Sequence, residues 1–183
     1  MSYPERHILE TLIYLPMLAA LVLVFVPRER KQAIRVLGIA TGIGMFALSA
    51  YAFAAFDYGE GARFQLVRVY PWLELLGIEF ALGVDGIGAP MVLLTGVVSL
   101  AAVIIAANVE RDNKDYYILL FVLITGVFGT FVSVDLFFFF LFYELAIVPM
   151  YLLIAVWGSS TRFTDFNRPK EYGALKLVMM IVA

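Results

Sequence analysis

The chain has 183 residues, of which 63% are hydrophobic and only 15% charged, with 13 basic side chains against 15 acidic ones. A soluble domain carries about 25% charged residues, so this is the composition of a chain that lives in lipid. It holds no cysteine and one histidine, His7, which excludes disulfides, cysteine-held iron–sulfur clusters, thioether-linked haem and Cys/His zinc sites. Any redox chemistry that the chain serves must therefore run in another subunit.

In chain order, five apolar segments are long enough to cross a bilayer as helices: Ile8 to Val26, Ile34 to Phe56, Ile87 to Val109, Tyr116 to Val134 and Leu136 to Trp157. The first is not a cleaved signal peptide. It is preceded by balanced Glu and Arg and followed by Pro27-Arg-Glu-Arg-Lys31 instead of a small-residue cleavage site, so it is expected to remain as an anchor. Between the second and third segments, Arg63 to Tyr70 is rich in β-branched and aromatic residues and Ile78 to Leu82 alternates. This pattern predicts a short β-hairpin on the membrane surface, with Tyr70 and Trp72 at headgroup level. The fourth and fifth segments are separated by little more than Ser133-Val-Asp135, which makes them antiparallel neighbours.

A sixth apolar run begins near Tyr172 and reaches Ala183. Its twelve residues rise only ~18 Å, short of a crossing, so the chain reads as the first part of something longer. Residues 1–183 form a single all-α, polytopic membrane domain with a small outer hairpin. Orientation follows from the loops. With the N-terminus outside, the inner connections carry nine Lys or Arg residues and the outer segments three, Arg6, Arg63 and Arg68. That bias obeys the positive-inside rule. Gly38 and Gly42, Gly126 with Thr130, and Gly129 with Ser133 give small-x-x-x-small spacings suited to close helix contacts.

The polar residues inside these spans are few. Glu144 lies near the middle of Leu136 to Trp157, five residues before Pro149. A carboxylate at such depth costs ~2.5–3.5 kcal/mol to insert, and intramembrane acids are functional candidates by default. Pro149 donates no N–H to the Leu145 carbonyl, which leaves a backbone acceptor beside the acid. One reading of Glu144 is a structural acid that ties helices together; the other is a proton-carrying site. Tyr151, seven residues on, shares its face. Lys176 is the other charge within an apolar run and is read either as a snorkelling lysine or as a relay cation. Asp135 is about half a turn out of phase with Glu144 and fits an N-cap of the fifth helix better than a proton site. Asp85 is an N-cap candidate for the third helix. Glu10 is expected to be wetted at the outer boundary, and a lone His7 outside the membrane is not expected to form a site.

The residues Tyr143-Glu-Leu-Ala-Ile-Val-Pro-Met-Tyr-Leu-Leu-Ile154, followed by Trp157-Gly158, resemble the fifth helix of the M-type antiporter-like subunit of respiratory complex I, the counterpart of mitochondrial NADH dehydrogenase subunit 4. Leu82-Gly-Val-Asp-Gly86, Val134-Asp-Leu136 and Glu171-Tyr-Gly-Ala-Leu-Lys176 are similar to further landmarks of that family. The resemblance covers essentially the whole chain but only about the first third of a typical member. It implies a proton-translocating subunit of NADH:quinone oxidoreductase in a cell inner membrane (mitochondrial, if eukaryotic), in which Glu144 pairs with a lysine on the seventh helix. It also implies that NADH, flavin, iron–sulfur clusters and quinone belong to other subunits, that the partners are other membrane subunits, lipid and protons, and that no nucleic acid is bound. Lys176 matches a sixth-helix lysine of the family, and the seventh helix lies beyond these residues. Two alternatives stand beside this reading. One is a subunit of a related cation/proton antiporter or membrane-bound hydrogenase; the other is a non-transporting fragment.

Overall fold

The computed structural model describes residues 7–60, 64–73, 75, 77–109 and 113–158. Within them the chain forms α1 (Ile8–Phe25), α2 (Lys31–Ala54), β1 (Gln65–Leu73), β2 (Ile78–Val84), α3 (Gly88–Ala106), α4 (Asn113–Val132) and α5 (Leu136–Trp157). All five helices have the length and apolar content to cross a membrane. Each expected span is found, with ends displaced by at most three residues, and α5 has the bounds that the apolar run predicts. The expected sixth run, with Lys176, lies outside the described residues.

The hub of the bundle is α4, which packs against α1, α2, α3 and α5. Ten of its 20 residues are buried, and Tyr117, Phe121, Phe128 and Val132 are wholly so. Their spacing of four, seven and four places a continuous stripe of large side chains down one face. Leu9, Leu12, Ile13 and Leu23 of α1, Met45 of α2, and Val92 and Val103 of α3 complete the core around that stripe.

Glycines set how closely the helices approach. A Cβ on Gly38 would lie 2.5 Å from Cε1 of Tyr117, so this glycine makes room for the tyrosine ring between α2 and α4. Gly42 faces Leu100 and Val103 of α3. On α4, Gly126 and Gly129 receive Phe142 and Ala146 of α5. The close approach that the small-x-x-x-small spacings predict is seen at both glycines, and the hydroxyls of Thr130 and Ser133 stay on their own helix. They donate to the carbonyls of Gly126 at 2.8 Å and Gly129 at 2.7 Å. Such back-bonding satisfies a hydroxyl that has no water at hand.

The expected hairpin forms, and one end of it enters the helical bundle. β1 and β2 pair antiparallel, with register irregularities between Gln65 and Arg68 and between Pro71 and Leu73. Pro71 lies in a two-stranded sheet, where a missing N–H is tolerated at an edge. Gly77, at φ +66°, makes the tight return between the strands. The far end of β2 is driven into the helical bundle: Leu82 and Val84 are buried, and Val134 N–H donates to the Ala81 carbonyl at 2.9 Å. Phe80 packs edge-on against Phe138 of α5, and Trp72 does the same from β1. Hence Phe138 is buried within a run of phenylalanines whose other members are exposed.

Candidate functional site

Glu144 sits eight residues into α5, at ~12 Å along the helix axis, and its side chain is exposed. The reason is the way α5 packs. Only four of its 22 residues are buried, Phe138, Phe142, Ile147 and Pro149, and all of its major contacts are with α4 and β2. The opposite face is an open stripe in which Phe137, Leu141, Val148 and Leu152 flank Glu144. Among the described residues, none forms a hydrogen bond or ion pair with the Glu144 carboxylate. Pro149 is on the covered side and the helix runs on past it to Trp157, while Leu145, whose carbonyl Pro149 leaves without its helical donor, is exposed beside the acid. Tyr151 is half-buried at the margin of the stripe. Glu144 thus lies in the middle of an apolar face of α5 that the described residues leave uncovered, and which face stays bare cannot be read from the periodicity of α5, which is apolar all round.

Asp135 is the N-cap of α5. Its Oδ1 accepts from the amides of Phe137 at 2.9 Å and Phe138 at 3.3 Å, so the carboxylate is held by the helix terminus and not aimed at Glu144. Asp85 has the corresponding place at α3, with Oδ1 accepting from Ile87 at 3.2 Å and Gly88 at 2.6 Å.

Glu10 is not wetted as expected, and His7 does not stand alone. The Glu10 side chain keeps only 12% of its exposure, because β1 folds over the start of α1. Its Oε2 meets His7 Nδ1 at 2.9 Å and its Oε1 accepts from the Tyr70 hydroxyl at 2.8 Å, with Arg68 Nε 3.9 Å away. Arg68 also reaches His7 Nε2 at 3.2 Å. A guanidinium only donates, so Nε2 of His7 must accept and Nδ1 must carry the proton given to Glu10. No sequence signal foretold this cluster, since its members lie some 60 residues apart and meet only through the hairpin.

Tyr70 carries a pH signature. The hydrogen bond to Glu10 raises its phenol above the ordinary 10.0, with Arg68 acting in the opposite direction. A group whose folded-state pKa is raised stabilises fully below its unfolded value, and that contribution is lost as pH rises through the folded value. The link between hairpin and α1 should thus persist through neutral pH and weaken only above about 10. The difference between wild-type and Tyr70→Phe phenolate absorbance during alkaline titration checks this. A component titrating below 10 would show that the Glu10 bond does not form.

Arrangement and composition together define a class: a polytopic helical membrane protein with, among the described residues, one carboxylate exposed in mid-span. No family model matches the chain. It is 36% identical over 175 residues to NAD(P)H-quinone oxidoreductase chain 4 of Trichodesmium erythraeum, covering 96% of this chain and 31% of the relative. It is 37% identical over 175 residues to the chloroplastic chain 4 of Chlorokybus atmophyticus, covering 96% and 34%. Among solved structures it is similar to a chain of the membrane-bound sulfane sulfur reductase, an archaeal respiratory membrane complex, with TM-score 0.67 and 16% identity over 94% of this chain and 25% of that one. That last likeness concerns the fold. The chain is a homologue of NAD(P)H-quinone oxidoreductase chain 4, a multi-pass membrane subunit whose N-terminal region it matches, and it spans about a third of the length of those relatives.

Proposed function

We propose that the chain contributes to proton translocation in a NAD(P)H-quinone oxidoreductase, with Glu144 as a proton-carrying group. The observation that supports this most is the placement of Glu144, in mid-span on a face of α5 that the described residues leave uncovered. A relay requires a carboxyl group within the apolar layer that a cation can approach, and an intramembrane acid is a candidate for that task. The redox groups and quinone reside in other subunits on this reading, and the cation that completes the pair comes from a helix packing on the open face of α5. Lys176 is a second relay candidate. For Asp135 the capping geometry favours a structural role.

A hydrophobic carbodiimide tests the reading in the assembled complex. It reacts with protonated carboxyl groups in apolar surroundings, and should modify the α5 peptide at Glu144 and lower proton transfer during quinone reduction. If it leaves that peptide unmodified while quinone reduction proceeds, the acid is not a protonated intramembrane site.

The two ends of the bundle are chemically distinct. Arg28, Arg30, Lys31, Arg35 and Lys114 gather at one; His7, Arg68 and the hairpin lie at the other. The basic end is held by Arg28 to Asp115 at 3.0 Å and by Lys114 Nζ to the Val24 carbonyl at 2.9 Å. The charge bias puts it inside. Single Gly59→Cys and Gln32→Cys variants should accordingly label with an impermeant thiol reagent from outside and inside respectively. Labelling of Gln32→Cys from outside would invert the map.

A further inference from the structure

Three helices converge at the basic end, and two of their polar groups are left without partners. Asn113, the first residue of α4, is 95% buried by its neighbours, being 5% exposed. Its Nδ2 donates to the carbonyls of Ala106 at 3.2 Å and Val109 at 2.7 Å, at the end of α3. Its Oδ1 is buried and accepts nothing among the described residues, and the same holds for the donor Nε of Arg35 on α2. These bonds fix the amide orientation, because a flipped amide would set its oxygen against two carbonyl oxygens.

The orphan donor and the orphan acceptor lie at the same level of the bundle, each one turn from the Gly38–Tyr117 contact. Gly38 of α2 sits against the ring of Tyr117 of α4, and the Tyr117 hydroxyl donates to the Val103 carbonyl of α3 at 3.2 Å. Arg35 is one turn from Gly38 toward the basic end, and Asn113 is one turn from Tyr117 in the same direction. The Arg35 charge is also close enough to act electrostatically on Tyr117. A ligand fitting here must accept from a guanidinium and donate to an amide oxygen. A metal cation is repelled by Arg35, and a phosphate oxygen is repelled by Asn113 Oδ1. Water does both.

We infer that Arg35, Asn113 and Tyr117 form a hydrated seat at the α2–α3–α4 junction, holding water that is reached from the basic end of the bundle. It is separate from Glu144, which lies on the far side of α5. Its existence does not depend on the proton-carrier reading of that residue.

Hydroxyl-radical footprinting of the wild-type complex, with the radicals generated by radiolysis, provides one measurement. Bound water yields radicals in place, so Tyr117, though buried, should be oxidised at a rate within a few fold of exposed Tyr51, and Phe128 at least tenfold more slowly. Oxidation of Tyr117 no faster than Phe128 would mean a dry junction and overturn the inference. The second measurement uses the fact that these 183 residues contain no cysteine. In inside-out vesicles, the Asn113→Cys variant should react with a charged thiosulfonate at least tenfold faster than the Thr125→Cys variant, which replaces a residue equally buried but deeper in α4. Adding Arg35→Met should slow that reaction several fold, because the guanidinium favours the reactive thiolate. Reaction as slow as at Thr125→Cys, or reaction indifferent to Arg35→Met, overturns the shared hydrated site.

Discussion

If Glu144 carries protons as proposed, Glu144→Gln is expected to leave assembly of the complex intact and to lower its proton transfer by about a hundredfold, the contribution usual for a positioned proton-transfer group. Glutamine keeps the length and the hydrogen-bonding capacity of the side chain but does not titrate. The packing of α5 on α4 runs through Phe138, Phe142 and Pro149 on the other side of the helix, so the substitution leaves the described interface untouched. Glu144→Asp retains the carboxyl group on a shorter arm and keeps part of the activity, whereas Glu144→Ala is at least as damaging as Gln. Proton uptake by closed vesicles, measured together with quinone reduction, decides the matter. If Gln pumps like the wild type and Ala alone prevents assembly, Glu144 is a structural hydrogen-bonding group, and the proton-carrying role is lost.

Gly129→Val separates α5 from α4. The added carbon falls within the ring of Phe142, and overpacking of this kind costs roughly 1–3 kcal/mol or more in a core that cannot relax. In lipid there is little hydrophobic force to hold two helices together once their close contact is gone. The Asp135 turn would still tether the helices, but the hairpin that rests on Phe138 and Phe142 would lose its base. The expected result is a lower yield of assembled complex and faster proteolysis of the hairpin. Phe142→Ala should restore part of the loss, since it removes the atoms that the valine meets. Gly126→Val should resist such rescue, because a Cβ there meets backbone, the Ala146 N and Phe142 O atoms, each at 2.8 Å. Equal rescue at both positions would show that α5 moves as a rigid body and that the individual contacts do not decide its seat.

The hairpin cluster offers a milder test of the same architecture. Glu10→Gln retains acceptance from Tyr70 but removes the charge that faces Arg68 and His7. Protease cleavage within residues 64–84 should rise relative to wild type while the helices stay intact. No change in cleavage would mean that the buried edge of β2, at Leu82 and Val84, holds the hairpin by itself.

The sequence by itself determined the number of spans, their approximate limits, the antiparallel pairing of α4 and α5, the hairpin and the caps at Asp85 and Asp135. These follow from local chemistry: the length of apolar runs against the thickness of a bilayer, β-branched alternation, and acids ahead of helix amides. Glu144 was legible for the same reason, as the one carboxylate in mid-run among the five described spans. What only the tertiary structure decided is which face each helix covers. Helices that are apolar all round carry no stripe to announce their partners, so neither the central position of α4 nor the bare face of α5 could be read from periodicity. Nor could the meeting of His7 and Glu10 with Arg68 and Tyr70, or the burial of unpartnered Asn113 and Arg35 atoms at the basic end. The hairpin brings Arg68 and Tyr70 back to α1 some 60 residues away, and Gly38 makes room for the Tyr117 ring between α2 and α4.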